Sequence, residues 1–183
     1  MTAGSILWRR LDGPGHDACR LEEADDGWRL DGAAVFRHRD VPAKLVYEVT
    51  CDPAWRTRSG RVEGWLGGDP VRICITRTAG GEWRAGDALA SLPPDLVDLD
   101  LGFTPATNLL PLRRLALATG AGADAPAAWL DVETGRLEAL VQRYERRSET
   151  GYRYESPGVG YAALLDVGPL GFVRRYPGLW EAV

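Results

Sequence analysis

Between Asp98 and Leu115 the chain reads DLDLGFTPATNLLPLRRL, two acids, a Thr-Pro-Ala-Thr-Asn turn and an arginine pair set among residues that favour burial. Asp98 and Asp100 are two apart, so in a strand both project from one face with Cα atoms roughly 7 Å apart. Repulsion between two such carboxylates raises one pKa, which would give a hydrolase acting on a sugar-containing metabolite its acid and its base. The structural alternative is that Leu99 and Leu101 face the core and both acids face water. In Thr104–Asn108, Pro105 fixes one φ angle, and Thr107 and Asn108 either lock the turn through backbone hydrogen bonds or contact a ligand. An extended Pro111–Leu115 puts Leu112 with Arg114 on one face and Arg113 with Leu115 on the other. One guanidinium then points inward and needs an acid, because an unpaired buried charge is costly. Asp98 and Asp100 are the nearest candidates in sequence.

A second theme pairs aromatic rings with guanidinium groups, in Trp55-Arg-Thr-Arg58, Gln142-Arg-Tyr144 and Tyr152-Arg-Tyr154. Aromatic faces with polar donors suit sugar rings and lipid headgroups, and they equally suit the flank of an ordinary sheet. Other chemistry is scarce. The chain has no GxSxG, HExxH, GxxxxGK[ST] or strand–GxGxxG–helix pattern. His16 and His38 are the only histidines and lie in polar, loop-like surroundings, which argues against a zinc site or a Ser-His-Asp triad. Cys19, Cys51 and Cys74 show no metal-ligand or redox spacing, and Cys51 and Cys74 sit in strand-like runs where free Cys is usually buried. No metal and no cofactor is expected.

The elements that must position these residues are strands. Period-2 alternation places Tyr47, Val49 and Cys51 on one face, and Val71, Ile73 and Ile75 on another. Tyr161, Ala163, Leu165 and Val167 form a third such face, and Gly-rich turns recur at Gly67–Pro70 and Thr78–Glu82. Short strands at this spacing describe an antiparallel sandwich, barrel or roll. Residues 133–147 fit a helical stripe (Leu137, Leu140, Val141, Tyr144), while the hairpin-like Ser148–Gly151 behind them favours a strand. Thr119–Ala128 reads as a surface loop of small residues. Seven tryptophans spread along 183 residues favour one core and a single domain over residues 1–183. The net charge of −4 argues against nucleic acid as a partner, although arginine supplies all but one of the 22 basic side chains. The N-terminal stretch has no apolar signal-like region, and nowhere do 18 apolar residues run together, so a cytoplasmic protein without integral membrane association is expected.

The Asp98–Leu115 segment resembles the signature of the bacterial putative glycolipid-binding family, roughly D-x-T-P-x-T-N-x-L-P-x-R-R-L. The resemblance extends through Lys44–Asp52 with Trp55 and Arg58, Gly81–Trp83, Gln142–Tyr144, Tyr152–Glu155 and Gly171–Gly178, essentially the whole chain. Ala106 departs from the bulkier aromatic expected between Pro105 and Thr107. The resemblance implies an all-β, single-domain antiparallel spiral β-roll, an open curved barrel with a central apolar cleft, similar in shape to lipoprotein carriers. It also implies that residues 133–147 are strand.

The function then expected is non-enzymatic binding of an amphiphilic small molecule, a glycolipid or lipid. Asp98, Asp100, Thr107, Asn108, Arg113, Arg114 and Arg58 would act as polar anchors at the cleft mouth. Trp55, Tyr144, Tyr152 and Tyr154, with Gln142, would line the ligand's path. An enzyme using the Asp98/Asp100 pair and a purely structural module are the competing expectations.

Overall fold

The computed structural model describes residues 2–183, with the side chains of Thr2 and Val159 outside the description. From the N-terminus the chain runs as an antiparallel meander of β1 (Thr2–Arg10), β2 (Gly15–Ala24), β3 (Gly27–His38), β4 (Val41–Cys51), β5 (Thr57–Leu66), β6 (Asp69–Arg77), β7 (Trp83–Ala85) and β8 (Ala88–Leu89). It then leaves this sheet as β9 (Asp98–Asp100), a 3-10 turn over Ala106–Asn108 and a helix α1 (Leu109–Leu115). The second half comprises β10 (Gly122–Asp124), β11 (Ala127–Asp131), β12 (Arg136–Leu140), β13 (Arg143–Arg146), β14 (Gly151–Ser156), β15 (Tyr161–Val167), β16 (Val173–Tyr176) and β17 (Trp180–Ala182). β17 pairs with β1, which joins both halves into one 14-stranded sheet with β10 and β8 at its two edges. β9, β11 and β12 form a separate three-stranded sheet in which β9 and β11 are parallel. The large sheet is curled but keeps free edges, so it is an open roll and not a closed barrel.

Alternation decides which side of each strand faces inward. Ala43, Leu45, Tyr47, Val49 and Cys51 of β4 are all buried. They join Trp8, Leu21, Leu30, Val62 and Ile75 from neighbouring strands and Leu99, Leu101, Leu109 and Leu110 from the inserted segment in one hydrophobic cluster. At about 25 cal/mol per Å2, each fully buried leucine in that cluster contributes roughly 1.5–3 kcal/mol. Residues 133–147 are largely extended and not helical, as the turn and the family resemblance imply, but they hold two strands, β12 in the small sheet and β13 in the large one, with a break at Val141–Gln142.

Four local expectations are corrected. Pro111–Leu115 is helical, because the 3-10 turn before it places Pro111 in the first turn of α1, where a missing N–H costs nothing. The arginines fall in the last turn, where cations complement the carbonyl end, and Ala116 closes the helix in a left-handed conformation. Cys74 is exposed, since Ile75 on the same strand takes the inward side. Thr119–Ala128 is no loose loop: it contains β10 and the start of β11, with Ala125, Ala127 and Ala128 fully buried. His16 and His38 sit on β2 and β3, and His38 Nε2 lies 2.6 Å from Glu133.

Candidate functional site

The inserted segment is held by two buried polar locks. Asp98 is fully buried and accepts a two-pronged bond from Arg114, Nε to Oδ1 at 3.0 Å and Nη2 to Oδ2 at 2.6 Å. The sequence expectation of an inward arginine paired with Asp98 or Asp100 is thus met by Arg114, through helix geometry. The expectation that both acids face water fails, because β9 is covered on both sides and Asp98 and Leu99 are both buried. Burial outweighs the guanidinium and pushes the Asp98 carboxyl above its ordinary range. Asp98 therefore does not form an acid–base pair with Asp100.

The second lock is Asp17, fully buried on β2. Tyr47 Oη lies 3.1 Å from each of its oxygens, and Thr104 Oγ1 donates to Oδ2. Burial raises the Asp17 carboxyl to about 6, with the two hydroxyls opposing. Gly32, opposite Tyr47 in the β3–β4 register, makes this reach possible: a Cβ there would lie 2.3 Å from the tyrosine hydroxyl. Thr104 also accepts from the Ala106 N–H at 3.0 Å, so the turn is tied to the sheet wall.

Asp100, at the far end of β9, does reach a cavity. A chamber of about 390 Å3 opens between the small sheet, the Thr104–Asn108 turn and strands β14, β16 and β17. Sheet register builds one wall. Trp129 of β11 is the partner of Asp100 on one side and of Glu138 on the other, so a carboxylate, an indole and a second carboxylate stand in a row across three strands. Adjacent strands are about 4.8 Å apart, which spaces the two acids about 10 Å at Cα. The backbone turns away after Asp100 at Gly102, φ 70°, where a Cβ would lie 2.5 Å from the Trp129 indole nitrogen. Asp100 Oδ1 accepts the Gly102 N–H at 2.7 Å, which fixes the carboxylate at the chamber edge. Asp100 is half-buried, and desolvation raises its carboxyl above the usual range, with the Asp98 charge adding to the effect.

The opposite wall is aromatic. Tyr154, Tyr176 and Trp180 line it, and Tyr154 packs against Tyr144, Tyr161 and Tyr176 at centroid separations of 5.0, 6.0 and 5.7 Å. Tyr154 donates to Gln142 Oε1 at 3.0 Å, and burial raises its hydroxyl to about 12. Asn108 lines the chamber while its Nδ2 donates to Tyr144 Oη at 2.7 Å. The chamber can accept hydrogen bonds from hydroxyl groups at two acids and stack flat or apolar surfaces on four rings.

The candidate residues read from sequence do not converge on one cleft. Asp100, Asn108 and Tyr154 line the chamber, with Gln142 and Tyr144 buried directly behind. Trp55, Arg113 and Tyr152 line a different cavity. Thr107 is buried and accepts the Leu101 N–H at 3.4 Å, and with Asp98 and Arg114 it fixes the inserted segment. Arg58 is exposed and paired with Asp26. Trp129, Glu138, Tyr176 and Trp180 also line the chamber, and no motif in the sequence marks them. Alternation in Ala127–Asp131 sets Trp129 apart from Ala128 and Leu130, but pairing across three strands is not written in sequence.

With this geometry in view, the comparisons place the chain among known proteins. Residues 5–182 match the family model described as putative glycolipid-binding. A crystal structure of a DUF1089 family protein from Pseudomonas aeruginosa is similar with a TM-score of 0.78 and 26% identity over 92% of each chain. No curated protein matches. No helix among the described residues is long and apolar enough to cross a membrane. The match along nearly the whole chain carries the assignment: this protein belongs to the putative glycolipid-binding family.

Proposed function

We propose that the chain binds an amphiphilic molecule without transforming it, and that the chamber beside Asp100 receives a neutral sugar headgroup. The Asp100–Trp129–Glu138 row carries this reading. An indole offers its face to the C–H surface of a sugar ring, and carboxylates on either side accept bonds from ring hydroxyls. Two acids disfavour anionic ligands, and as hydrogen-bond acceptors they suit the hydroxyl donors of an uncharged sugar. A volume of about 390 Å3 lies at the small end of ligand sites, room for a headgroup and the start of a chain and not for a whole two-chain lipid. The family's name supports binding of a glycolipid. Catalysis by an Asp98/Asp100 pair finds no support, since Asp98 lies outside the chamber and is committed to Arg114.

The test combines native mass spectrometry of protein purified from its own host with calorimetry on a panel of methyl and longer-chain alkyl glycosides. Binding should strengthen with chain length, and Trp129→Ala and Glu138→Gln should each weaken it about tenfold, the equivalent of 1.4 kcal/mol. No co-purifying amphiphile together with no glycoside binding would sink the reading. So would wild-type affinity in Trp129→Ala.

A further inference from the structure

The second cavity has the opposite electrostatic character and shares no lining residue with the chamber beside Asp100. Its volume is about 540 Å3, and its walls include Arg113, Arg146 and Arg174 with Trp55 and Tyr152. Arg174 is neutralised by Asp166 at 2.9 Å. The other two have no carboxylate partner among the described residues. Arg146 is held by neutral groups, donating to the backbone carbonyls of Leu117, Ser148 and Glu149 at 2.9, 3.2 and 2.9 Å. Those bonds occupy three of the five N–H donors of a guanidinium, leaving two. Its Cζ sits 5.5 Å from the Tyr152 ring centroid.

Arg113 is less satisfied still. Its Cζ lies 5.0 Å from the Trp55 ring centroid, and its Nε is buried without any hydrogen-bond partner. A buried N–H of a charged group left unpaired costs on the order of 1–3 kcal/mol or more. The scaffold around it is tied by backbone hydrogen bonds. Trp55 has φ 65°, inside a turn closed by Asp52 N–H to Arg56 O and Trp55 N–H to Asp52 O, both at 2.9 Å. Trp28 stacks on Trp55 at 4.5 Å, so the Trp55 indole packs against both a second indole and the Arg113 guanidinium. Glu149 is the one carboxylate lining this cavity, and it pairs with none of the three arginines.

We infer that this cavity is a binding site for a phosphate-type oxyanion, received by the free donors of Arg113 and Arg146 between the Trp55 and Tyr152 rings. Planar guanidinium forks match the oxygen spacing of a phosphoryl group, and stacking on aromatic rings pre-organises them. Two unpaired cations in one cavity against a single exposed carboxylate favour an anion there. Because the residues differ, this site stands or falls independently of sugar binding beside Asp100.

The experiment is calorimetric titration of the full chain with inorganic phosphate, a hexose phosphate and a short-chain phosphatidic acid at low ionic strength. Saturable one-site binding of phosphate is expected, weakened about tenfold or more in Arg113→Gln and in Arg146→Gln. Arg153→Gln, which touches only an exposed pair with Glu155, should bind as wild type. Glu149→Gln alters an exposed side chain, leaves the fold in place and should tighten binding, so the site is testable even if an arginine variant fails to fold. Tighter binding of either ester than of phosphate supports the site and assigns the source as sugar or lipid, and equal binding of all three supports a bare oxyanion site. Absence of saturable heat with every probe overturns the inference. Affinity unchanged in both Arg113→Gln and Glu149→Gln overturns it as well.

Discussion

At the scale of single residues, buried carboxyls set the pH behaviour. Asp17 titrates near 3.8 when solvated and near 6 in the fold, because burial penalises its charge more than Tyr47 and Thr104 repay. Between those values the folded chain holds a proton that the unfolded chain has lost. Its stabilising effect is therefore complete below the lower value and disappears as pH rises through the upper one. The loss amounts to about 3 kcal/mol. Asp98 and Asp100 are raised in the same direction, so the wild-type slope is a sum. Denaturant unfolding of wild type and Asp17→Asn across this range isolates one group: the variant should lose less stability than wild type on going from about pH 4 to 6. Parallel curves would show that Asp17 keeps its charge at no cost.

At the scale of elements, α1 is short enough that its own hydrogen bonds cannot sustain it, and packing and one ion pair must. Consecutive residues on a helix diverge by about 100°. That divergence sends Arg114 to Asp98 and Arg113 to Trp55, where a strand would have sent them to opposite faces. Arg114→Ala should cost about 3 kcal/mol or more, chiefly because it strands the Asp98 charge in the core. Pairing it with Asp98→Asn should recover much of that loss, a non-additivity that denaturant titration of the four-member cycle measures directly. Simple addition of the two single effects would mean that the pair does not dock α1 onto β9.

For the whole molecule, the join between β17 and β1 is decisive. It brings Trp180, Trp8 and the second-half tyrosines into the same cluster as the first eight strands, so neither half owns a separate core. Unfolding should therefore follow one transition, with tryptophan fluorescence and far-ultraviolet circular dichroism coinciding in denaturant. Two separated transitions would divide the sheet into units that fold alone. The same curvature leaves one chamber walled by acids and another by arginines, and α1 touches both. Asn108 before its first turn lines one, and Leu112, Arg113 and Ala116 line the other. Seven residues at 1.5 Å each set these ends about 10 Å apart.

Period-2 alternation in β4, β6 and β15 determined the strands and their inward faces, because burial on one side of a strand is a local property of the chain. The need of an inward arginine for an acid likewise pointed to one of Arg113 and Arg114 with one of Asp98 and Asp100, and the structure selected Arg114 and Asp98. Alternation could not report that β9 is covered on both sides, and so it set Asp98 wrongly in water. It could not foresee that a 3-10 turn would convert Pro111–Leu115 to helix, nor that Thr119–Ala128 holds β10 and the start of β11. The Asp100–Trp129–Glu138 row and the division of the aromatic and arginine residues between two cavities were decided by the tertiary structure alone. Both depend on which strands become neighbours. Strand pairing joins residues far apart in sequence through backbone hydrogen bonds that carry no side-chain signature, so only the register of the folded chain can settle it.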